Sequence, residues 1–440
     1  MRRTSVDTYL LELNTRSEGV FADGAEDPHY ILQSTQEETA DSTRPIENCS
    51  GEPLKKYDLS RRKLLQVMGA TTLSASFPIG EVRNSGVVDR DAPEMSRIPK
   101  IALELSRAGP YFATGTVDEA GMRRVKQLGV NDVLMGGPPI PWLERDLRAL
   151  ADKLKTGGLA LGNMMITGFP KTLYGKPGRD EEIEKVQQSI RAAGSVGLPV
   201  IEYNFYAHRL VEGYYGETGR GGAGLTAFDY DRVKDLPPLP EEGAHDLEEM
   251  WKNITYFLRA VIPIAEESGV RLALHPNDPP APLSRGSQQI MGSVEGWKRL
   301  IDIVPSTSNG ITFDCGVTRE MGQDPEQVCR YFGSKDVINH VHYRNVRVQA
   351  PNEKYTEVFI DEGVNDMHRV MKELVRQKYS RLIYPEHPRA LDYDRERPDF
   401  KPYYPGGGGY AAYAYNVGYT RAMLQACLTT LNEISAGPSV

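Results

Sequence analysis

Short apolar runs alternate with longer amphipathic stretches over most of the chain, from residue 98 onward. Eight of these runs are rich in apolar or β-branched residues and are bounded by Gly, Pro, Asn or Asp, which is the pattern of buried β-strands. The predicted strands are Lys100–Leu105, Val130–Met135, Leu159–Ile166, Val200–Phe205, Val270–His275, Gly310–Asp314, Val337–His342 and Arg381–Glu386.

The stretches that separate and follow these runs carry the 3.6-residue apolar period of helices. Asp180 is the predicted N-cap of one helix, and Gly269 is predicted to end another because glycine readily adopts a left-handed conformation. The predicted helices are Val117–Leu128, Trp142–Lys155, Arg179–Val196, Ala244–Ser268, Val294–Val304, Pro325–Phe332, Asp366–Lys378 and Tyr410–Ser435.

Strands that alternate with helices indicate a parallel sheet, because each helix returns the chain to the same end of the sheet. Eight such units predict a closed (β/α)8 barrel, the TIM-barrel fold, over residues 98–440. An open doubly wound sheet is the alternative, and it is less favoured because no GxGxxG motif follows the first strand. The glycine-rich Arg220–Gly224 lacks the GKS or GKT ending of a phosphate-binding loop, so we predict a flexible loop there.

Residues 1–97 have a different composition from the barrel region. The segment through Leu59 is polar and without sustained periodicity, which predicts a disordered extension. Arg61 and Arg62 precede the mildly apolar Gln66–Ile79, and residues 60–80 resemble a twin-arginine export signal. Export by that route would make the protein periplasmic or extracellular. The alternative is a surface helix that begins with two arginines in a cytoplasmic protein.

Charge and cysteine content exclude several classes of protein. The formal net charge of −8 argues against a nucleic-acid partner, which would require a basic surface. The four cysteines show no CxxC spacing and indicate neither a disulfide framework nor a structural zinc site. No apolar run reaches the roughly 20 residues of a stable membrane span. The expected partner is therefore a small molecule, and the oligomeric state is left open, a homo-oligomer included.

Polar side chains stand at the ends of the last four predicted strands. These strands end at His275, Asp314, His342 and Glu386. Neighbouring strands lie roughly 4.8 Å apart, and barrel enzymes carry their active site at this end, so the four groups are predicted to converge. Each residue alone is more often a hydrogen-bonded loop anchor. Two imidazoles and two carboxylates together predict a site for Mn²⁺, Fe²⁺, Co²⁺ or Zn²⁺.

From about residue 98 to 432, the chain resembles the mannonate dehydratases, which belong to the xylose isomerase-like TIM barrels. The segments that carry the resemblance are Val261–Pro280, Asn309–Phe313, His342–Val346, Gly363–Met367, Pro385–His387 and Gly409–Tyr410. The resemblance implies a divalent metal, with Mn²⁺ expected and Fe²⁺ or Co²⁺ as alternatives. It implies that residues at the positions of His275, His342, Glu386 and the end of strand six hold this ion.

The resemblance also implies a reaction, the loss of water from a sugar acid to give a 2-keto-3-deoxy acid. It implies acid–base roles for His387 and Tyr410. A carboxylate substrate would need a cation, and Arg344 and Arg389 are candidates, with Asn204 at the end of strand four as a further substrate contact.

The chain departs from the family pattern on one side of the barrel. The family's histidine-containing motifs near the first three strands are absent, and no histidine of the barrel region precedes His208. Asn277 and Glu386 each stand where the family has Asp, and Pro388 stands where it has Gly. The substrate is therefore predicted only as a mannonate-like sugar acid.

Strand six offers two candidate ligands, because the family's ligating cysteine aligns with Asp314 while Cys315 follows it. Successive side chains of a strand point to opposite faces, so only one of them can enter the barrel mouth. We predict that Asp314 is the ligand and that Cys315 packs against the helices.

Two other functions fit the same barrel. A metal-dependent sugar isomerase or epimerase would use two carboxylates as its acid–base pair, and Glu202 at the end of strand four could be one of them. A sugar-binding barrel without catalysis is the other alternative, but it would have no need of four metal ligands.

Overall fold

The computed structural model describes residues 98–107, 115–402 and 404–436, with side chains described up to residue 430. The predicted disordered extension over 1–97 and the twin-arginine signal at 60–80 lie outside these residues. None of the described helices is long and apolar enough to cross a membrane.

Fourteen strands occur in the described residues, eight of which form the barrel. In chain order, the strands are β1 (Lys100–Glu104), β2 (Asp132–Gly136), β3 (Ala160–Ile166), β4 (Val200–Tyr203), β5 (Tyr214–Thr218), β6 (Gly224–Asp229), β7 (Arg271–Leu274), β8 (Leu283–Ser284), β9 (Ser287–Gln288), β10 (Asn309–Asp314), β11 (Ile338–His342), β12 (Val346–Ala350), β13 (Lys354–Glu357) and β14 (Leu382–Tyr384).

The barrel closes in the order β1-β2-β3-β4-β7-β10-β11-β14, with β14 pairing back onto β1. All pairs around the barrel are parallel, for example Val200 beside Arg271 and Lys100 beside Leu382. These strands are the eight predicted from the sequence, which confirms the TIM barrel. The C-terminal strand ends therefore form one rim.

The helices surround the barrel. In chain order, they are α1 (Glu119–Gln127), α2 (Glu144–Thr156), α3 (Pro170–Leu173), α4 (Arg179–Ser195), α5 (Leu247–Glu267), α6 (Val294–Ile303), α7 (Cys315–Glu320), α8 (Pro325–Gly333), α9 (Met367–Arg376), α10 (Asp392–Arg395) and α11 (Tyr410–Ala436). Aromatic contacts such as Tyr203 of β4 with Phe257 of α5, with ring centroids 5.7 Å apart, join the helical layer to the strands. Burial of these apolar faces stabilises the fold.

One helix end follows the prediction and one does not. Gly269 has a φ of 66°, and Val270 N donates to Ala265 O across the end of α5, so a left-handed glycine ends this helix as predicted. The predicted N-cap at Asp180 is wrong. Gly178, at a φ of 92°, precedes the first turn of α4, and Asp180 lies within that turn, where a carboxylate favours the positive end of the helix.

An antiparallel sheet that the sequence analysis missed stands beside the barrel mouth. Its strand order is β12-β13-β6-β5. The predicted loop at Arg220–Gly224 is the turn between β5 and β6. There, Arg220 pairs with Asp361 at 2.7 Å. This sheet brings Glu357, the last residue of β13, to the rim of the barrel.

Candidate active site

A cavity of about 570 Å³ opens at the C-terminal ends of the barrel strands. Its floor is formed by residues at or just beyond the strand ends, and its outer wall by the segment that runs from β14 to the start of α11. Residues of the floor and wall include Glu104, Met135, Met165, Glu202, Asn204, Arg209, His275, Asp278, His342, Glu386, His387, Arg389, Tyr404 and Tyr410.

Three potential ligand atoms gather around a fourth, the Nδ1 atom of His342. His275 Nε2 and Glu386 Oε2 each lie 3.1 Å from it, and Asp314 Oδ2 lies 3.8 Å away. Ligand atoms that share one ion at about 2.1 Å are separated by roughly 3–3.5 Å, so the two spacings of 3.1 Å suit a common ion and the Asp314 oxygen lies slightly further out. The residues predicted from the strand ends therefore do converge in the fold.

The hydrogen bonds of His275 leave its second nitrogen free for a ligand. Its Nδ1 lies 2.7 Å from the carbonyl oxygen of Pro276, which can only accept, so the ring proton is on Nδ1. The lone pair of Nε2 then faces Nδ1 of His342. Burial lowers the pKa of His275 to about 3, which keeps this imidazole neutral. Two facing imidazole nitrogens beside carboxylates fit a divalent cation.

The carboxylates of the group are held by one buried arginine. Arg344 Nε donates to Asp314 Oδ2 and to Glu386 Oε1, both at 3.1 Å, and Nη1 donates to Glu320 Oε1 at 2.7 Å. Asp278 and Glu357 complete its set of acidic neighbours, at 3.4 and 3.8 Å. The guanidinium, predicted to bind substrate, is thus enclosed by five carboxylates behind the cavity wall.

Close packing around this arginine explains the small residue after Cys315. A Cβ placed on Gly316 would lie 2.5 Å from Nη1 of Arg344, so only glycine allows the start of α7 to approach the guanidinium.

Asp314 and Cys315 have separate surroundings. Asp314 ends β10, its Oδ1 accepts from Val317 N and caps α7, and its Oδ2 faces His342. Cys315 is fully buried in the core between the barrel and the helices. Burial raises the pKa of Asp314 to about 7, with the charge of Glu386 adding to the rise and Arg344 opposing it. The carboxylate therefore turns towards the site and the thiol does not.

Charge also controls the protonation of His342. Burial disfavours its imidazolium form, but the carboxylates of Glu386 and Glu202 outweigh burial and raise the pKa to about 9. The same imidazolium, together with His387, holds the pKa of Glu386 well below its usual range against the effect of burial. A cation that bound at Nδ1 would therefore have to displace a proton from this ring.

His387 lies beside the predicted ligands, and on its other side it contacts Glu357 of the antiparallel sheet. Its Nδ1 is 3.1 Å from Glu357 Oε2, and its Nε2 is 3.5 Å from Glu386 Oε2. Burial opposes the charged ring, but Glu357 and Glu386 outweigh it and raise the pKa. The backbone of His387 has a φ of 46°, a strained conformation for a non-glycine residue, as often occurs at functional sites.

The remaining predicted site residues line the cavity. Arg389 is buried, and its Nη2 pairs with Glu357 at 2.8 Å. Tyr410 begins α11 and donates its hydroxyl proton to the carbonyl oxygen of Arg124 at 2.9 Å. Asn204 places its amide 3.9 Å from the sulfur of Met165. Arg344 is the one predicted substrate contact that does not reach the cavity surface.

Several polar residues of the cavity were not predicted. Arg209 lies over the ring of Tyr404 and pairs with Asp278 at 3.3 Å. Glu104, at the end of β1, has a pKa raised to about 8, first by burial and then by Glu202. Its position at the end of a predicted strand was a signal that the sequence analysis did not use.

Comparison with known proteins agrees with this architecture. Residues 241–430 match the family model described as D-mannonate dehydratase (UxuA). The mannonate dehydratase of Oceanobacillus iheyensis is 30% identical over 312 residues, which cover 63% of this chain and 87% of that protein. The mannonate dehydratase of Thermotoga petrophila is 29% identical over 328 residues, 65% of this chain and 90% of that protein.

Solved structures give the same result. The crystal structure of mannonate dehydratase from Streptococcus suis serotype 2 aligns with a TM-score of 0.67 and 25% identity, covering 76% of this chain and 96% of that one. A xylose isomerase-like TIM barrel protein from Mycobacterium smegmatis, solved with magnesium, aligns with a TM-score of 0.50 at 13% identity over 76% of this chain and 99% of that one, which supports the fold alone. The predicted resemblance is confirmed, and the chain belongs to the mannonate dehydratase family.

Proposed function

We propose that this protein is a metal-dependent hydro-lyase that removes water from a mannonate-like sugar acid to give a 2-keto-3-deoxy acid. The observation that carries the proposal is the convergence of His275, Glu386 and Asp314 on Nδ1 of His342, at the floor of a cavity large enough for a sugar acid. Membership of the mannonate dehydratase family supports the reaction class.

We assign the metal to His275, Asp314, His342 and Glu386. Two imidazole nitrogens and two carboxylate oxygens are a borderline-to-hard donor set, which favours Mn²⁺ and also accepts Fe²⁺ or Co²⁺. When bound, the ion would supply positive charge, which stabilises the negative charge that develops at the substrate carboxylate when the neighbouring C–H proton is removed. Arg344 then serves the site indirectly, since it holds the Asp314 and Glu386 carboxylates in place.

Dehydration of a sugar acid breaks a C–H bond next to the carboxylate and a C–O bond at the next carbon. The electron pair of the C–H bond forms the new double bond, the hydroxyl group leaves with an added proton as water, and the resulting enol becomes the keto acid. One group must therefore accept a proton and another must give one.

We assign the base to His387 and the acid to Tyr410. Glu357 fixes Nδ1 of His387 and strengthens it as a base, as a carboxylate partner does in other catalytic dyads. A tyrosine hydroxyl keeps its proton at neutral pH, and burial raises the pKa of Tyr410 further, so a proton is available there for the leaving hydroxyl group. Both residues line the cavity.

The substrate carboxylate requires a cation at the cavity surface. Arg389 and Arg209 both line the cavity, and each already pairs with one carboxylate of the protein. We propose that these two arginines bind the acid end of the substrate and that Asn204 contacts a hydroxyl group. Arg344 is not proposed for this role because it is enclosed by acidic side chains.

The test is turnover of the purified protein after removal of bound metal by a chelator and reloading with Mn²⁺. D-mannonate and other sugar acids are offered, and the products are identified by mass. We expect a product lighter by one water, formed only by the reloaded protein. A product of unchanged mass from free sugars would instead establish the isomerase alternative, and an active metal-free protein would contradict the assigned ion.

A further inference from the structure

Glu202 is a buried carboxylate at the floor of the cavity, beside the proposed metal site. It lies in β4 with 2% of its surface exposed, and its register partner is Ala273, two residues before His275. Side chains two residues apart on a strand point to the same side, so Glu202 faces the barrel interior one layer below the ligands.

Both oxygens of Glu202 are oriented by neighbouring strands. Thr312 Oγ1 donates to Oε1 at 2.7 Å, and Asn163 Nδ2 donates to Oε2 at 2.9 Å. These two bonds fix the plane of the carboxylate. Its Oε1 then lies 3.5 Å from Nε2 of His342.

The two nitrogens of His342 face different groups. Nδ1 faces His275, Glu386 and Asp314, whereas Nε2 is buried without a hydrogen-bond partner and has Glu202 as its nearest acidic neighbour. The lone pairs of the two ring nitrogens diverge, so an ion bound at Nδ1 cannot also be bound at Nε2. Glu202 therefore lies next to the ring nitrogen that the other three donors do not face.

We propose that Glu202 is a positioning residue that accepts a hydrogen bond from Nε2–H of His342 and so holds the ring in the tautomer that offers Nδ1 to the metal. This inference rests on the proposed ligand set. The carbonyl of Pro276 does the same for His275 from 2.7 Å. A carboxylate behind a ligating histidine also makes that ring a stronger ligand.

The obvious alternative is that Glu202 binds the ion directly, since Glu202, His275 and His342 each offer an atom within 4.8 Å of the others. One feature of Glu202 opposes it. Its Oε1 approaches His342 at Nε2, whereas His275, Glu386 and Asp314 all face Nδ1.

The experiment compares Mn²⁺ binding by the metal-free full-length protein and its Glu202→Gln variant, by titration calorimetry. Glutamine keeps the shape but removes the negative charge, and its amide can pair with Oδ1 of Asn163, an atom that lacks a partner, once the Asn163 amide turns by 180° from its present donor position. We expect Mn²⁺ to bind roughly 10- to 100-fold more weakly, the usual effect of losing such a partner, while the melting temperature of the metal-free protein stays near wild type.

Glu182→Gln is the matched control, because Glu182 is also buried and accepts two hydrogen bonds, from the backbone and side chain of Thr172, and neither residue lines the cavity. Its Mn²⁺ affinity should equal that of the wild type. Thr312→Val removes only the bond that orients Oε1, and we expect a smaller weakening in the same direction. Thr312→Val therefore still tests the inference if Glu202→Gln does not fold.

X-ray absorption of the Co²⁺-loaded proteins separates positioning from direct binding. We expect the same number of metal ligands in the wild type and in Glu202→Gln. Unchanged Mn²⁺ affinity in both the Glu202 and Thr312 variants would overturn the inference, and so would the loss of an oxygen ligand in Glu202→Gln. If the wild type binds neither ion, the ligand assignment itself fails, and the positioning role falls with it.

Discussion

Arg344 Nε lies 3.1 Å from Asp314 Oδ2, and both side chains are almost fully buried, at 2% and 0% exposure. The same nitrogen donates to Glu386, so one guanidinium neutralises the two carboxylates that are proposed to bind the metal. A buried cation with several acidic partners is strongly destabilising to remove, because each carboxylate is left charged and unpaired.

We therefore expect Arg344→Met to lower the free energy of unfolding of the metal-free protein by about 3–5 kcal/mol, measured by urea denaturation. Arg347→Met is the control, since Arg347 lies on the neighbouring strand β12, is half exposed and pairs with Glu362 at 3.6 Å. That change should stay within about 0.5 kcal/mol of wild type. Equal stability of the two variants would show that Arg344 does not hold the acidic cluster together.

The second prediction separates chemistry from metal retention. His387→Ala and Tyr410→Phe should each reduce turnover by roughly 10²-fold or more, the usual scale for losing a general base or acid, because neither residue is assigned to the ion. Metal content, measured by mass spectrometry of the purified protein, should remain near wild type. Tyr393→Phe, at a side chain that is 69% exposed, is the control for Tyr410 and should keep full turnover. Loss of metal from either active-site variant would move that residue into the ligand set.

The barrel was predictable from the sequence because each of its strands is a short apolar run between turn residues, as in Val337–His342. The antiparallel sheet was missed because its strands are partly polar and lack the continuous apolar runs of the barrel strands. One signal was nevertheless available in β12. Val346 and Val348 alternate there with Arg347 and Gln349, which is the period-2 pattern of a strand with one exposed face.

The site was predictable as a set of strand-end residues, but not in its details. Sequence position cannot tell whether an arginine just beyond a strand end faces the cavity or the protein interior. Arg344 faces the interior, where five carboxylates surround it. Glu357, the partner of His387, comes from the antiparallel sheet, so its role depends on a contact that no strand pattern reveals. Packing between residues far apart in the sequence decides both the orientation of Arg344 and the pairing of Glu357 with His387.

The third prediction concerns the pH dependence of stability through His208, which follows β4 and lies outside the proposed metal site. Its Nδ1 is 2.9 Å from Glu242 and its Nε2 is 3.1 Å from Glu212. Burial disfavours the charged ring, but these two carboxylates outweigh it and raise the pKa to about 9. Because the pKa is higher in the folded than in the unfolded protein, the stabilisation is complete below about pH 6.5 and is lost as the pH rises through 9.

His208→Gln should therefore lower the free energy of unfolding by about 1–3 kcal/mol at pH 6, and the difference from wild type should shrink by pH 10. Thermal unfolding at both pH values measures this. His368→Gln, on an exposed position of α9, should show no such pH-dependent difference. A His208→Gln deficit that is equal at both pH values would mean that the residue contributes packing alone.

The last prediction tests which residue at the end of β10 binds the ion. Asp314 faces Nδ1 of His342 at 3.8 Å, whereas Cys315 is buried in the core against the helices. Asp314→Asn should weaken Mn²⁺ binding by more than the roughly 10- to 100-fold typical of an outer-shell partner, because it removes a charged ligand. Cys315→Ala should leave Mn²⁺ affinity unchanged and lower only the melting temperature, since it removes buried atoms from a packed core.

A pH series strengthens the same test. The pKa of Asp314 is about 7 in the metal-free protein, so Mn²⁺ must displace its proton below that pH. Wild-type affinity should fall as the pH is lowered from 7, and part of this dependence should disappear in Asp314→Asn, which has no proton to lose at this position. A thiolate ligand from Cys315 would be recognised by the variants and the choice of metal instead. Cys315→Ala would then abolish binding, and Zn²⁺ would be preferred to Mn²⁺, because sulfur favours softer ions.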